Sequence, residues 1–155
     1  EGDALQHTTK WVQEIAADSD EISVNPMNIQ KRTIVDRIFR HREYRPPWLW
    51  SLVQMIRNVH DDIHPEGKPS RSRLIVHPTA AGSVRGAHNC GRCDKEVAAA
   101  IERYSVSGSL LEFEGLSCEC ESQWKAEIEL DTSLPIPLGS GIDRRLDPIE
   151  ALLSP

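Results

Sequence analysis

Residues 88–120 read HNCGRCDKEVAAAIERYSVSGSLLEFEGLSCEC and hold all four cysteines of the chain, as Cys90-Gly91-Arg92-Cys93 and Cys118-Glu119-Cys120. Two close pairs with 24 residues between them predict one tetrahedral four-cysteine zinc site. Zn²⁺ takes four deprotonated soft ligands at about 2.3 Å, and a long loop can bring two chelating pairs together with little local strain. The competing reading is a disulfide framework. Cysteines one or two positions apart would close strained rings, so disulfides would have to run between the pairs, and no basic-then-apolar leader points to an oxidising compartment. A redox reading uses Cys90 and Cys93 at a helix start, where the dipole lowers a thiol pKa, but it leaves Cys118 and Cys120 without a role. Four thiolates also close the coordination sphere and leave no water to activate, so Zn²⁺ is expected here as a structural cofactor. His88 is the one residue beside the site that can stand in for a cysteine.

Working outward, residues 94–104 predict a helix with Val97, Ala98 and Ile101 inward, and with Asp94 and Glu96 in the first turn, where the dipole favours carboxylates. Gly108 turns the chain. Residues 110–114 then read as a strand leading to Cys118, and positions 118 and 120 of an extended segment point to the same side. Trp124, Ala126, Ile128 and Leu130 alternate with Lys125, Glu127, Glu129 and Asp131, the pattern of a half-buried antiparallel strand with an acidic outer face. On the N-terminal side, Leu74-Ile75-Val76 is a short buried-strand candidate, reached through a basic connector of Pro, Gly, Ser, Lys and Arg at 65–72.

Residues 1–66 read as helical. Leu5, Thr8, Val12 and Ile15 predict a helix over 3–18 with Asp3 as N-cap, and a short acidic segment follows at 19–24. Asn25-Pro26 opens a second helix to about residue 43, with Met27, Ile34, Val35 and Ile38 inward and Lys31, Arg32, Arg37, Arg40 and Arg42 making the rest basic. Pro46-Pro47 ends it. Leu49, Leu52, Val53, Ile56, Val59 and Ile63 then mark the central core helix, and Trp48 and Trp50 in its first turn are expected to pack on the second helix or the zinc lobe. The architecture expected is α+β: a helical region at 1–66, a zinc-binding lobe of one helix and short antiparallel strands at 67–131, and a Pro/Gly-rich extended tail at 132–155.

The chain has 155 residues, 39% of them hydrophobic, enough to bury a sizeable core, and no run approaches the roughly 20 apolar residues of a membrane span. A reducing intracellular compartment, cytoplasm or nucleus, is expected. The first residue is Glu1, which suggests a processed product or a piece of a longer protein. Net charge is −6, but residues 67–92 carry five basic and no acidic side chains, whereas 93–155 carry five and thirteen. A basic middle between acidic ends is either a polyanion-binding surface or is neutralised within the fold.

Three function classes follow. The leading one is a non-enzymatic, zinc-stabilised interaction or assembly module that binds a protein partner, with no small-molecule substrate inferred. The alternative is nucleic-acid binding through the basic face of residues 31–92, with Lys68, Arg71, Arg73, Arg85 and Arg92 on phosphates. The third is a metal-dependent hydrolase using His60, Asp61 and His64. That stretch resembles the His-Glu-x-x-His motif of zinc peptidases, with aspartate in place of the glutamate base, Pro65 directly after it and Ser70 where a third histidine would stand. His60-Asp61 also resembles the His-Asp pair of the HD phosphohydrolases, with His41 as a possible partner. These resemblances are motif-sized and name no family; the expected place of His60 and His64 is the wet end of a core helix.

Overall fold

The computed structural model describes residues 1–66 and 72–133, and at its centre stands α3 (Leu49–Ile63). Leu49, Leu52, Val53, Ile56, Val59 and Ile63 recur at three- and four-residue steps, and all are buried. Each such side chain contributes about 1.5–3 kcal/mol when taken out of water. Trp50 and Met55 are buried on other sides of the same helix, so α3 is covered widely and leaves only the face of Arg57, Asn58, Asp61 and Asp62 exposed. One cover is α1 (Gly2–Ala16), through Val12 and Ala16. Another is α4 (Asp94–Ser107), through Val97, Ala100, Ile101 and Tyr104. The last helix, α5 (Cys120–Ser133), lies along α1 and buries Trp124.

The fold is α+β, but its strands are parallel rather than antiparallel. β1 (Glu21–Val24) pairs with β2 (Arg73–Val76) in the register Ile22 to Leu74 and Val24 to Val76. The chain between them carries α3 and the short α2 (Ile34–Arg40), and a connection that passes through helices returns the chain in the same direction. Glu21–Val24 reads in sequence only as a short acidic segment. It becomes a strand because β2 is brought beside it. The outer edge of β2 is sealed by α4: Ser105 Oγ accepts from the Val76 N–H at 2.9 Å, and the Arg73 guanidinium donates to the Ser105 carbonyl at 3.0 Å.

Three local expectations are corrected. The helix expected from Pro26 is confined to α2, capped by Thr33, whose Oγ1 accepts from the Asp36 N–H. Met27 and Ile34, expected inward, are exposed, while Ile29 and Asp36 are buried. The cause is Arg85, which reaches Asp36 from a distant loop at 2.7 Å and turns that face inward. Residues 110–113 form a 3-10 turn, Leu110–Phe113, instead of a strand. Gly108 at φ 66 stops α4, Ser109 caps the turn, and Phe113 stacks on Tyr104 with ring centroids 5.5 Å apart. The strand expected over 124–131 is part of α5. Ala126 and Leu130, expected inward, are exposed, and the covered face is Cys120, Trp124, Glu127, Ile128 and Asp131. Polar partners fix that choice. The Trp48 indole N–H donates to Glu127 at 2.8 Å, the Trp124 indole to Ser51 at 2.9 Å, and the Gly2 amide to Asp131 at 3.0 Å.

Candidate metal centre

Each cysteine pair sits where a helix begins. The turn Cys90-Gly91-Arg92-Cys93 leads into α4 with Cys93 as its N-cap, and Cys120 is the first residue of α5, so Cys118 and Cys120 flank a helix start rather than lying on an extended strand. Gly91 at φ 87 takes the left-handed conformation that the turn needs and that a Cβ disfavours. Asp94, itself buried, holds the turn from behind by accepting from the Asn89 N–H at 2.9 Å and the Gly91 N–H at 2.6 Å.

The four sulfurs converge. Cys90 lies 4.0 Å from Cys93 and 3.6 Å from Cys118, Cys93 lies 3.6 Å from Cys120, and all four fall within 4.8 Å of one another. A disulfide needs about 2.05 Å, and all four thiols are free. Sulfurs about 2.3 Å from one tetrahedral ion stand about 3.8 Å apart, so the spacing fits a metal held by four thiolates. Among the described residues this is the one place where three or more metal-ligating side chains meet.

Two donors from outside the cysteine turns point at the buried sulfurs. The Trp50 indole N–H donates to Cys120 Sγ at 3.3 Å, and Asn89 Nδ2 donates to Cys93 Sγ at 3.3 Å. Both favour thiolate over thiol. Without a cation, burial pushes the Cys93 and Cys120 thiols up. The exposed Cys90 is held down at about 6, chiefly by the Arg92 backbone N–H and further by that of Cys93. A cation at the centre of the quartet would reverse the penalty on the buried pair, since a coordinated thiol is deprotonated outright. His88 takes no part: its Nδ1 faces the Gly86 carbonyl at 2.9 Å.

The histidine motif lies at the end of α3, and its groups turn to different partners. The His60 and His64 rings are 4.8 Å apart at centroid and tilted by 44°. His60 Nδ1 meets the Tyr104 hydroxyl at 3.2 Å, Asp62 accepts from Gln13 at 2.8 Å, and Asp61 is exposed. Burial, reinforced by His60, pushes His64 below the ordinary imidazole value, and burial pushes the Tyr104 hydroxyl up to about 12. The basic residues are also divided. Lys68 and Arg71 lie outside the described residues, Arg73 is committed to Ser105, Arg85 to Asp36, and Arg92 to Glu119 at 2.9 Å.

No protein-family model and no solved structure matches the chain. Curated relatives do. The chain is 34% identical over 131 residues to archaeosine synthase subunit beta of Methanosarcina acetivorans, a match covering 84% of this chain and 36% of that protein. It is 37% identical over 112 residues to archaeosine synthase subunit beta of Thermococcus kodakarensis, covering 72% and 33%. It is 32% identical over 122 residues to an uncharacterized protein of Methanocaldococcus jannaschii, covering 76% and 31%. The chain thus spans about a third of the length of these relatives. None of its described helices is long and apolar enough to cross a membrane.

Asn89, Trp50 and Asp94 are the members of the site that the cysteine spacing does not disclose. Asn89 and Asp94 flank the first pair, where an Asx side chain can bond nearby backbone N–H groups, and that was the available signal. Trp50 is 70 residues from Cys120, and nothing local marks it.

Proposed function

We propose that this chain is a non-catalytic, zinc-stapled module of a longer protein akin to archaeosine synthase subunit beta, and that it serves the assembly of that protein with a partner subunit. The observation that carries the reading is the convergence of the four sulfurs within 4.8 Å, at the starts of two different helices. Four thiolates complete a tetrahedral shell, so the ion fixes α4 and α5 relative to each other and activates no water. Zinc is the metal of choice for this donor set and spacing, and iron–sulfur chemistry is the competitor that four thiolates also attract. The name of the relatives supports a partner, since a subunit works in an assembly. It also gives the longer protein a modified nucleoside as product, so nucleic acid is its substrate in this reading.

The test is elemental analysis of the purified chain together with whatever co-purifies. One zinc per chain, lost on replacing Cys90 and Cys118 with serine, is the expected result. Iron with a visible charge-transfer spectrum would replace zinc by a cluster, and disulfides with no metal would end the reading altogether.

A further inference from the structure

Of the basic residues singled out in the sequence, Arg73, Arg85 and Arg92 are each engaged by a group of their own fold, but most cations of α2 and its flanks are not. Among the described residues, no helix or strand packs extensively on α2. It is moored through Asp36, which is 3% exposed and accepts from Arg85 at 2.7 Å, Arg40 at 3.0 Å and the Arg32 backbone N–H at 2.9 Å. With the one carboxylate of the helix turned inward, the outside is left cationic. Lys31, Arg32, Arg37 and Arg42 are exposed, and none forms an ion pair among the described residues. Four such cations within twelve residues stand out on a chain of net charge −6.

The backbone adds an independent observation. Arg32 and Arg42, on either side of α2, have φ of 66° and 60°. Side chains with a Cβ are disfavoured there, and glycine or asparagine is the usual occupant. Both places hold an exposed arginine instead. Next to Arg42 lies a recess of about 760 Å³, lined by Phe39, Glu43, Tyr44, Arg45 and His88 among others. Exposed cations spread along one segment, with aromatic and guanidinium surface next to Arg42 at its end, suit a chain of phosphates carrying flat bases, since phosphates supply the attraction and bases stack on such surfaces. An acidic polypeptide offers the charge without the rings.

We propose that residues 31–42 form a docking surface for the phosphate backbone of RNA, gripped by Lys31, Arg32, Arg37 and Arg42 with bases entering the neighbouring recess. The choice of RNA over DNA rests on the reading of the longer protein as one that makes a modified nucleoside; the phosphate surface itself does not.

The left-handed positions supply the test. Arg32→Gly with Arg42→Gly removes two charges where glycine relieves the backbone, so fold and metal content should be retained. Binding of fluorescently labelled unfractionated tRNA is measured by anisotropy across a salt series, with metal content determined for every variant. The expected result is salt-dependent binding that the double variant weakens by at least about tenfold, with the log–log salt slope reduced by about one unit for each phosphate no longer held. Lys31→Glu with Arg37→Glu should do the same, whereas Lys10→Glu on α1 should change nothing. Absence of binding at low salt by metal-loaded protein overturns the proposal, as does equal binding by wild type and both double variants. Displacement by polyglutamate as effective as displacement by tRNA would mark an acidic-protein surface, and equal displacement by a DNA duplex would remove the assignment to RNA. Metal-free wild-type protein counts against the metal reading alone.

Discussion

Asn89 shows how much one side chain can do at the cysteine quartet. Its Oδ1 accepts from the Trp50 backbone N–H at 3.3 Å, its Nδ2 donates to Cys93, and its own backbone N–H is held by Asp94, so it couples α3 to the first cysteine turn. Groups that hydrogen-bond metal ligands typically affect affinity by about 10–100-fold. Asn89→Ala and Trp50→Phe are each expected to weaken metal binding by that factor, read by competition with a chromophoric chelator. Asp36 makes a second residue-scale prediction. Its bonds with Arg40, the Arg32 backbone N–H and Arg85 hold its carboxyl far below the ordinary aspartate value. A depressed folded pKa means that the stabilisation is fully present above the unfolded value of about 3.9 and is lost as pH falls below it. Amide exchange at residues 33–40, corrected for its intrinsic pH dependence, should therefore lose protection as pH falls from about 5 toward 3 and below. In Asp36→Asn protection should be low throughout, with no such acid step.

At the scale of elements, the helical state of α5 and the closure of β2 are both open to mutation. If the covered face of α5 is Cys120, Trp124 and Ile128, then Ala126→Lys should change stability by no more than about 0.5 kcal/mol, as at an ordinary surface site. A strand with Ala126 inward would not tolerate it. Trp124→Ala should cost about 3–5 kcal/mol, because it empties a core position and leaves Ser51 without its indole partner. Ser105→Ala removes the group that meets the Val76 N–H on the buried edge of β2, and an unsatisfied buried donor costs about 1–3 kcal/mol. Urea unfolding of the three variants decides all of these.

For the whole molecule, the cysteine quartet and the apolar core are one structure. Cys93 and Cys120 belong to the same buried cluster as Val53, Ile56 and Trp124, so a metal held by the quartet would close over the core rather than stand apart from it. Structural metal binding is coupled to folding. A strong chelator should therefore lower the melting temperature of α1, α3 and α5 together, with a loss of the near-ultraviolet signal of Trp50 and Trp124. Early melting of residues 74–131 alone, with the helices of 1–66 intact, would show that the two regions are separable.

Sequence alone determined the parts whose causes are local. The stripe of Leu49 to Ile63, the helix after Cys93, its stop at Gly108 and the pairing of four cysteines were all legible because spacing, capping and chelate geometry act over a few residues. Even α5 left local marks, with Glu121 and Lys125 one helical turn apart and ion-paired at 2.7 Å, beside an alternating pattern that a strand would also show. Tertiary structure decided between those two patterns by offering Trp48 and Ser51 as polar partners on one face. It made β1 a strand by laying β2 alongside, and it turned Asp36 inward by presenting Arg85 from 49 residues away. Those outcomes depend on which groups the folded chain places opposite one another, and no short window of the sequence contains both partners.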